Sequence, residues 1–498
     1  MMTRSRRPTD LARRPHRRRH LGTAPSQEPR DGPASGAGRS AFGAPRLAKV
    51  VSGALVVLLS VLAPPVGAQG VADDYRTVAQ RLIEVATSNH AAYERLTELV
   101  DRFGPRVSGS AALERAHDWI LAEMESDGLE NARADSMLVP HWVRGEESLE
   151  MLLPWAREMP MLGLGGSVAT PPGGIRAEVL VVSSFEELED RAREAHGKIV
   201  LFDVPFTTYG ETVQYRSRGA VSAARAGAAA SLIRSVTPYS QQTPHTGNSA
   251  YEDGVPKIPH AAITVEDAMM LHRMQGRGQR PELLLKMEAR TQPDALSRNV
   301  MAEIVGSELP DEVVVLGGHT DSWDVGQGAM DDAGGVVAAW EAVRLMKDLG
   351  LRPRRTVRVV GWTSEENGGP GGPNYAEVHA DEYHVLAMES DAGVFNPLGF
   401  GFTGSDEAFA IVQEIGTLLT SIGSGTVTRG GGGADIAPLM ATGVPGMGLT
   451  VDGSRYFWYH HTDADTIDKL DPDEVARCVA TLAVMAYVVA DLPERLPR

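Results

Sequence analysis

The chain has 498 residues, more than one hydrophobic core usually serves, so two or three domains are expected. Its net charge of −17 is unevenly spread: residues 1–49 contribute +9 and the remainder −26. An acidic body argues against binding to nucleic acid, and the single cysteine, Cys478, excludes both an intrachain disulfide and a thiolate-rich metal centre.

Residues 1–44 read as an Arg-rich leader without a fold of its own. Residues 45–68 read as a signal peptide. Val50 to Ala68 carries no charge, its apolar centre stops at Pro64–Pro65, and Val66-Gly67-Ala68 has the small-residue spacing of a cleavage site. The apolar part is shorter than the roughly 20 residues of a spanning helix, which weighs against a retained anchor. The expectation is export to a secreted or periplasmic location, with no lasting membrane association.

Beyond Gly70, apolar residues at helical spacing (Val78, Leu82, Val85, Leu96, Leu99, Val100) predict helix from Tyr75 to Phe103. A second helix is predicted from Ala111 to Met124, so that 71–139 forms a first part of the principal domain. From about Pro140 short β-like runs take over: Glu178 to Val182, Lys198 to Phe202 and Leu283 to Met287, with a small-residue helix near Ala220 to Ala230. This marks 140–293 as an inserted, β-rich domain. Strands and helices then alternate through 294–498: strand Val313–Leu316, helix Gly335–Leu349, strand Val357–Trp362, strand His384–Met388. The fold class that follows is α/β, a mixed central sheet flanked by helices, with an insert. The last helix starts at Pro472, with Asp471 as its cap and Glu474 three residues later. Cys478 lies on its apolar face and reads as core.

In an open α/β sheet, ligands gather beyond the carboxyl ends of the strands. The unusual residues sit there. One strand delivers His319, Asp321, Asp331 and Asp332 in HTDSWDVGQGAMDD, the next Glu365 and Glu366 in TSEENGG, and the third Glu389 and Asp391 in MESDAG. A late loop, YHHTDADT, adds His460, His461, Asp463 and Asp465. Each alone has a plain explanation: a structural histidine, a solvated acidic pair, turn aspartates. Their convergence on one sheet edge points instead to a divalent metal. Carboxylate and imidazole without thiolate suit zinc, with manganese or cobalt less apt.

The order His-x-Asp, Gly-Ala-x-Asp-Asp, Glu-Glu, Ser-Asp-x-Gly, His-Thr-x-x-Asp resembles the co-catalytic zinc exopeptidases, which include bacterial zinc aminopeptidases and glutamate carboxypeptidases. The likeness runs over roughly 75–498. It implies two zinc ions per chain, with His319 and Asp391 on one, Glu366 and His461 on the other, and Asp331 shared. It also implies that Glu365 is the general base, that the insert is a protease-associated domain, and that the protein is a homodimer. Asp321 is expected to accept the free ring N–H of His319, and Asp465 to do the same for His461. Asp332 remains an alternative bridge. His460 is a candidate hydrogen-bond donor to the oxyanion, and Asp435, in the RGGGGAD loop, a candidate substrate contact. The expected substrates are small unblocked peptides. Two rival readings are a single-zinc aminoacylase or glutaminyl cyclase-like enzyme of the same fold, and a binding protein that has lost catalysis.

Overall fold

The computed structural model describes residues 70–498, so the expected leader and signal segment lie outside the described residues. Two eight-stranded sheets carry the architecture. The principal sheet runs, edge to edge, through strands Glu130–Val143, Arg290–Ile304, Arg355–Trp362, Leu309–His319, Tyr383–Glu389, Gly446–Val451, Pro397–Thr403 and Thr426–Arg429. Its four central strands are parallel, whereas Arg290–Ile304 and Pro397–Thr403 run antiparallel to their inner neighbours.

Alternation along these strands feeds two cores. Val314, Leu316, Val357, Val359, Leu386 and Met388 face helices Gly334–Asp348 and Pro472–Asp491. Val313, Val315, Val360, Trp362 and Ala387 face the other way, toward Tyr375, Ile436 and Leu439. A sheet covered on both faces explains why the central strands read as unbroken apolar runs.

The expected helix over Tyr75–Phe103 is two helices, Val71–Ala86 and Ala91–Phe103, because the polar stretch Thr87–His90 interrupts the apolar face. The last helix is Pro472–Asp491, with the Asp471 carboxylate accepting from the backbone N–H groups of Asp473 (2.8 Å) and Glu474 (3.2 Å). Glu474 does not reach back to complete a capping box; it pairs with Arg455 at 2.6 Å. Cys478 is buried in the principal core. Among the described residues no helix is long and apolar enough to cross a membrane.

The second sheet occupies the region expected as an insert. Its order is Arg157–Met159, Glu147–Leu153, Glu282–Met287, Ile175–Val182, Ile199–Phe202, Ala230–Arg234, His260–Ile263 and Met161–Gly163. Four adjacent strands are parallel, and helices Tyr209–Arg225 and Val265–Gly276 lie on opposite faces. The region is therefore α/β in character rather than only β-rich. Its limits also sit inside the expected 140–293. Trp142 and Val143 still pair with Thr291 and Arg290 in a ribbon that continues the principal sheet. Polar alternation along that ribbon hid it from a reading based on apolar runs.

Candidate metal centre

Parallel register sets the strand ends flush. His319 pairs with Trp362, and Gly317 with Glu389, so the residues that follow each strand emerge at one edge. Gly318 matters here: a Cβ at that position would overlap the Asp332 carboxylate, which accepts from the backbone N–H of His319 at 3.0 Å and of Gly335 at 3.1 Å. Asp332 is thereby turned into the backbone. The neighbouring Asp331 carboxylate faces the histidines instead.

Asp331 is shared between two groups of donors. Its Oδ1 lies 3.3 Å from His319 Nε2, which is also 3.5 Å from Asp391 Oδ1. Its Oδ2 lies 3.3 Å from His461 Nε2, which is 3.0 Å from Glu366 Oε2. His460 Nε2 stands 3.7 Å from the same Oδ2, and its ring stacks on that of His461 with centroids 3.5 Å apart.

His319 Nε2, Asp331 Oδ2 and Glu366 Oε1 are buried and make no hydrogen bond. Buried polar atoms left unsatisfied are costly, and three of them converging from imidazole and carboxylate are what a cation would satisfy. Donor atoms of His319, Asp331 and Asp391 all lie within 4.8 Å of one another, as do those of Asp331, His460 and His461. The donor set fits divalent metal binding.

In the metal-free protein, protonation follows from the crowding. Burial, aided by Glu366, Asp391 and Asp321 and opposed by His319, pushes the Glu365 carboxyl up to about 8. Burial works against the His461 imidazolium, yet Glu366 and Asp331 hold it up to about 10. His460, also buried and beside His461, is driven well below the usual histidine range and is neutral.

Supporting contacts differ in detail from expectation. His319 Nδ1 meets the backbone carbonyl of Asp321 at 3.0 Å, while the Asp321 carboxylate accepts from the backbone N–H groups of Glu365 (3.1 Å) and Glu366 (3.3 Å). Asp465 does not touch the His461 ring. Its carboxylate accepts from the N–H of Met330 at 2.8 Å and of Asp331 at 3.2 Å, so it holds the backbone at Asp331. His461 Nδ1 lies 3.3 Å from both the Thr246 carbonyl and Arg216 Nη1, each from the second sheet's region. Ser364 and His461 adopt left-handed backbone conformations (φ 64° and 62°), beside Glu365 and at a candidate ligand.

A cavity of about 700 Å³ opens over these residues, lined by Asp331, Glu365, Glu366, Asp391, His460 and His461 together with Tyr209, Arg216, Asn248 and Tyr456. Asp435 is buried and is not among the residues lining this cavity. Sequence reasoning missed Arg216, Trp323 and Tyr456. Trp323 donates its indole N–H to Glu366 at 2.7 Å. The Tyr456 phenol is pushed well above its ordinary range by burial and by Asp331, Asp391 and Glu366, which places it against the carboxylates. The only signal for these residues lay in the run of aromatics before His460 and in the tryptophan inside HTDSWD.

Comparison with known proteins gives the family. The Peptidase family M28 model matches residues 299–486, which contain every candidate ligand. Carboxypeptidase Q of Mus musculus is 51% identical over 430 residues, covering 85% of this chain and 92% of the mouse protein. The chain belongs to peptidase family M28. Within it the chain is carboxypeptidase Q-like, for the Homo sapiens protein of that name is also 51% identical, over 426 residues covering 84% of this chain and 90% of that one. The crystal structure of a Peptidase M28 precursor from Shewanella amazonensis SB2B superposes with a TM-score of 0.82 at 36% identity, covering 86% of this chain and 99% of that one. BSAP, a zinc aminopeptidase from Bacillus subtilis, shares the fold at a TM-score of 0.61 and 19% identity, covering 81% of this chain and 98% of that one.

Proposed function

We propose that the protein is a two-zinc exopeptidase that hydrolyses small unblocked peptides, dipeptides foremost. The observation that carries this reading is the Asp331 carboxylate, with one oxygen toward His319 and Asp391 and the other toward His461 and Glu366. Imidazole and carboxylate donors without thiolate favour zinc. When bound, such a pair polarises a scissile carbonyl and makes water acidic enough to attack near neutral pH.

The chain's own residues do the rest. Glu365 lines the cavity and is not needed as a ligand, since Glu366 fills that place. It takes the proton of the attacking water and delivers it to the departing amine. The neutral His460 imidazole and the Tyr456 hydroxyl both border the cavity and are the candidate donors to the developing oxyanion. Arg216 supports the substrate class. Its guanidinium is buried and its Nε makes no hydrogen bond. Its Nη2 donates to the Tyr209 hydroxyl at 2.7 Å, its Nη1 lies 3.4 Å from the Thr246 carbonyl and 3.3 Å from His461 Nδ1, and among the described residues it makes no ion pair with a carboxylate. A buried cation on a cavity wall is suited to a substrate carboxylate, so Arg216 would hold the free C-terminus of a short peptide. Export and homodimer formation belong to the same reading.

The test is a hydrolysis panel on purified protein, wild type beside Glu365→Gln. Free dipeptides should be cleaved well, and their C-terminal amides and N-acetyl forms poorly. The variant should lose roughly 10²–10⁴-fold in kcat while keeping both ions. Unchanged turnover in Glu365→Gln would remove Glu365 as the base. One tight zinc per chain would favour the single-zinc rival, and full metal loading without any peptide cleavage would favour the binding protein.

A further inference from the structure

The two donor pairs around Asp331 are supported from different parts of the chain. His319 is held by Asp321 and Asp332, both from the principal domain. Glu366 and His461 are held across the boundary with the second sheet. Trp323 donates to Glu366 at 2.7 Å, and its ring lies 5.6 Å from that of His461, so one side chain meets both residues.

That tryptophan belongs to the other core. It is buried in the cluster built from Met161, Val181, Leu232 and Met287 of the second sheet's region, with Trp142 of the ribbon. Its slot exists because residue 165 is glycine; a Cβ there would overlap the indole ring. Thr246, from the same region, accepts from His461 Nδ1 at 3.3 Å through its carbonyl and donates its N–H to the His461 carbonyl at 2.9 Å. Its hydroxyl is anchored on the Gly163 carbonyl at 2.8 Å. Arg144, where the chain leaves the principal sheet, ties the contacts together. It grips Asp324, next to Trp323, at 2.5 and 2.9 Å, and donates to the Thr246 hydroxyl at 3.3 Å.

We propose that the region of residues 147–287 sets the affinity of one metal position, that of Glu366 and His461, through Trp323 and Thr246, and leaves the His319–Asp391 position alone. This rests on the two-ion reading above. Groups that orient a ligand's second polar atom govern metal affinity nearly as strongly as the ligand itself. Any displacement of the second sheet's region loosens two ligands of one ion together. Trp323 and Thr246 are positioning residues, and the region is a coupling element between its own placement and a complete centre.

Stepwise zinc binding, measured by competition with a chromogenic chelator, tests this on wild type, Trp323→Phe and Gly165→Ala. Trp323→Phe removes the indole N–H and keeps an aromatic ring. Gly165→Ala touches no candidate ligand and acts only by pushing the indole. Both variants should bind one ion as tightly as wild type and the other about 10–100-fold more weakly. Equal weakening of both ions, or no weakening in either variant, would overturn the proposal. A wild type that binds only one ion would instead remove the two-ion reading beneath it.

Discussion

Glu365 and Glu366 are adjacent in the chain yet meet different partners. The Asp321 carboxylate fixes both backbone N–H groups, after which Glu366 turns to Trp323 and His461 while Glu365 borders the cavity. Such a division of labour between neighbours needs the left-handed Ser364 just before them, a conformation that costs roughly 1–3 kcal/mol and is sustained by its surroundings. The crowded carboxylates also set a pH dependence for the metal-free protein. The folded-state pKa of Glu365 is raised from 4.5 to about 8 by burial, and that of Asp465 from 3.8 to about 7, again by burial. The folded state therefore binds protons that the unfolded chain has released, and stability falls as pH rises between about 4 and 8. Raised His461 acts in the same direction, its contribution being lost as pH passes about 10. Ions that neutralise the carboxylates should flatten this slope. Chelation is thus expected to lower Tm more at pH 8 than at pH 5.5, and an equal drop at both would contradict the charge argument. At this scale His319, Asp331, Glu366, Asp391 and His461 were legible as chemically expensive residues at strand ends. Trp323, Thr246 and Arg216 were not, because an indole, a carbonyl and one arginine among many carry no pattern of their own.

The loop from His319 to Asp332 is an element built around one buried cation. Arg106 donates to the carbonyls of Thr320 (2.9 Å), Gln327 (2.7 Å), Gly328 (2.9 Å) and Gly104 (2.9 Å). Burial lowers its pKa to about 10, with Asp465, Asp321 and Asp332 opposing that fall. Replacing Arg106 by Leu leaves four carbonyls without their donor, so a loss on the order of 3–5 kcal/mol is expected from urea unfolding. A change below about 1 kcal/mol would show that the loop holds itself. The cap of the last helix is a smaller effect. Asp471→Ala should cost about 1 kcal/mol in the same assay. The central strands and their helices were legible because two apolar faces leave continuous hydrophobic runs. The ribbon of Glu130–Val143 and Arg290–Ile304 was not, since its outer half is exposed and polar and it joins segments far apart in sequence.

At the scale of the molecule, two sheets meet over one cavity. The principal domain contributes the candidate ligands and the candidate base, while the second sheet's region contributes Tyr209, Arg216 and Asn248 to the wall. The insertion lies between strands that pair with each other, Glu130–Val143 and Arg290–Ile304, and its residues form part of the cavity wall. The overall α/β class followed from the changing texture of the sequence. How the insert docks could not, because docking depends on packing between residues such as Gly165 and Trp323 that are 158 positions apart. The proposed centre shares Asp331 between two ions. Anomalous diffraction at the zinc edge from crystals of the metal-loaded protein tests it most directly. Two peaks are expected, one beside His319 and Asp391 and one beside Glu366 and His461, with Asp331 between them. A single peak, or a second one away from Glu366 and His461, would contradict it.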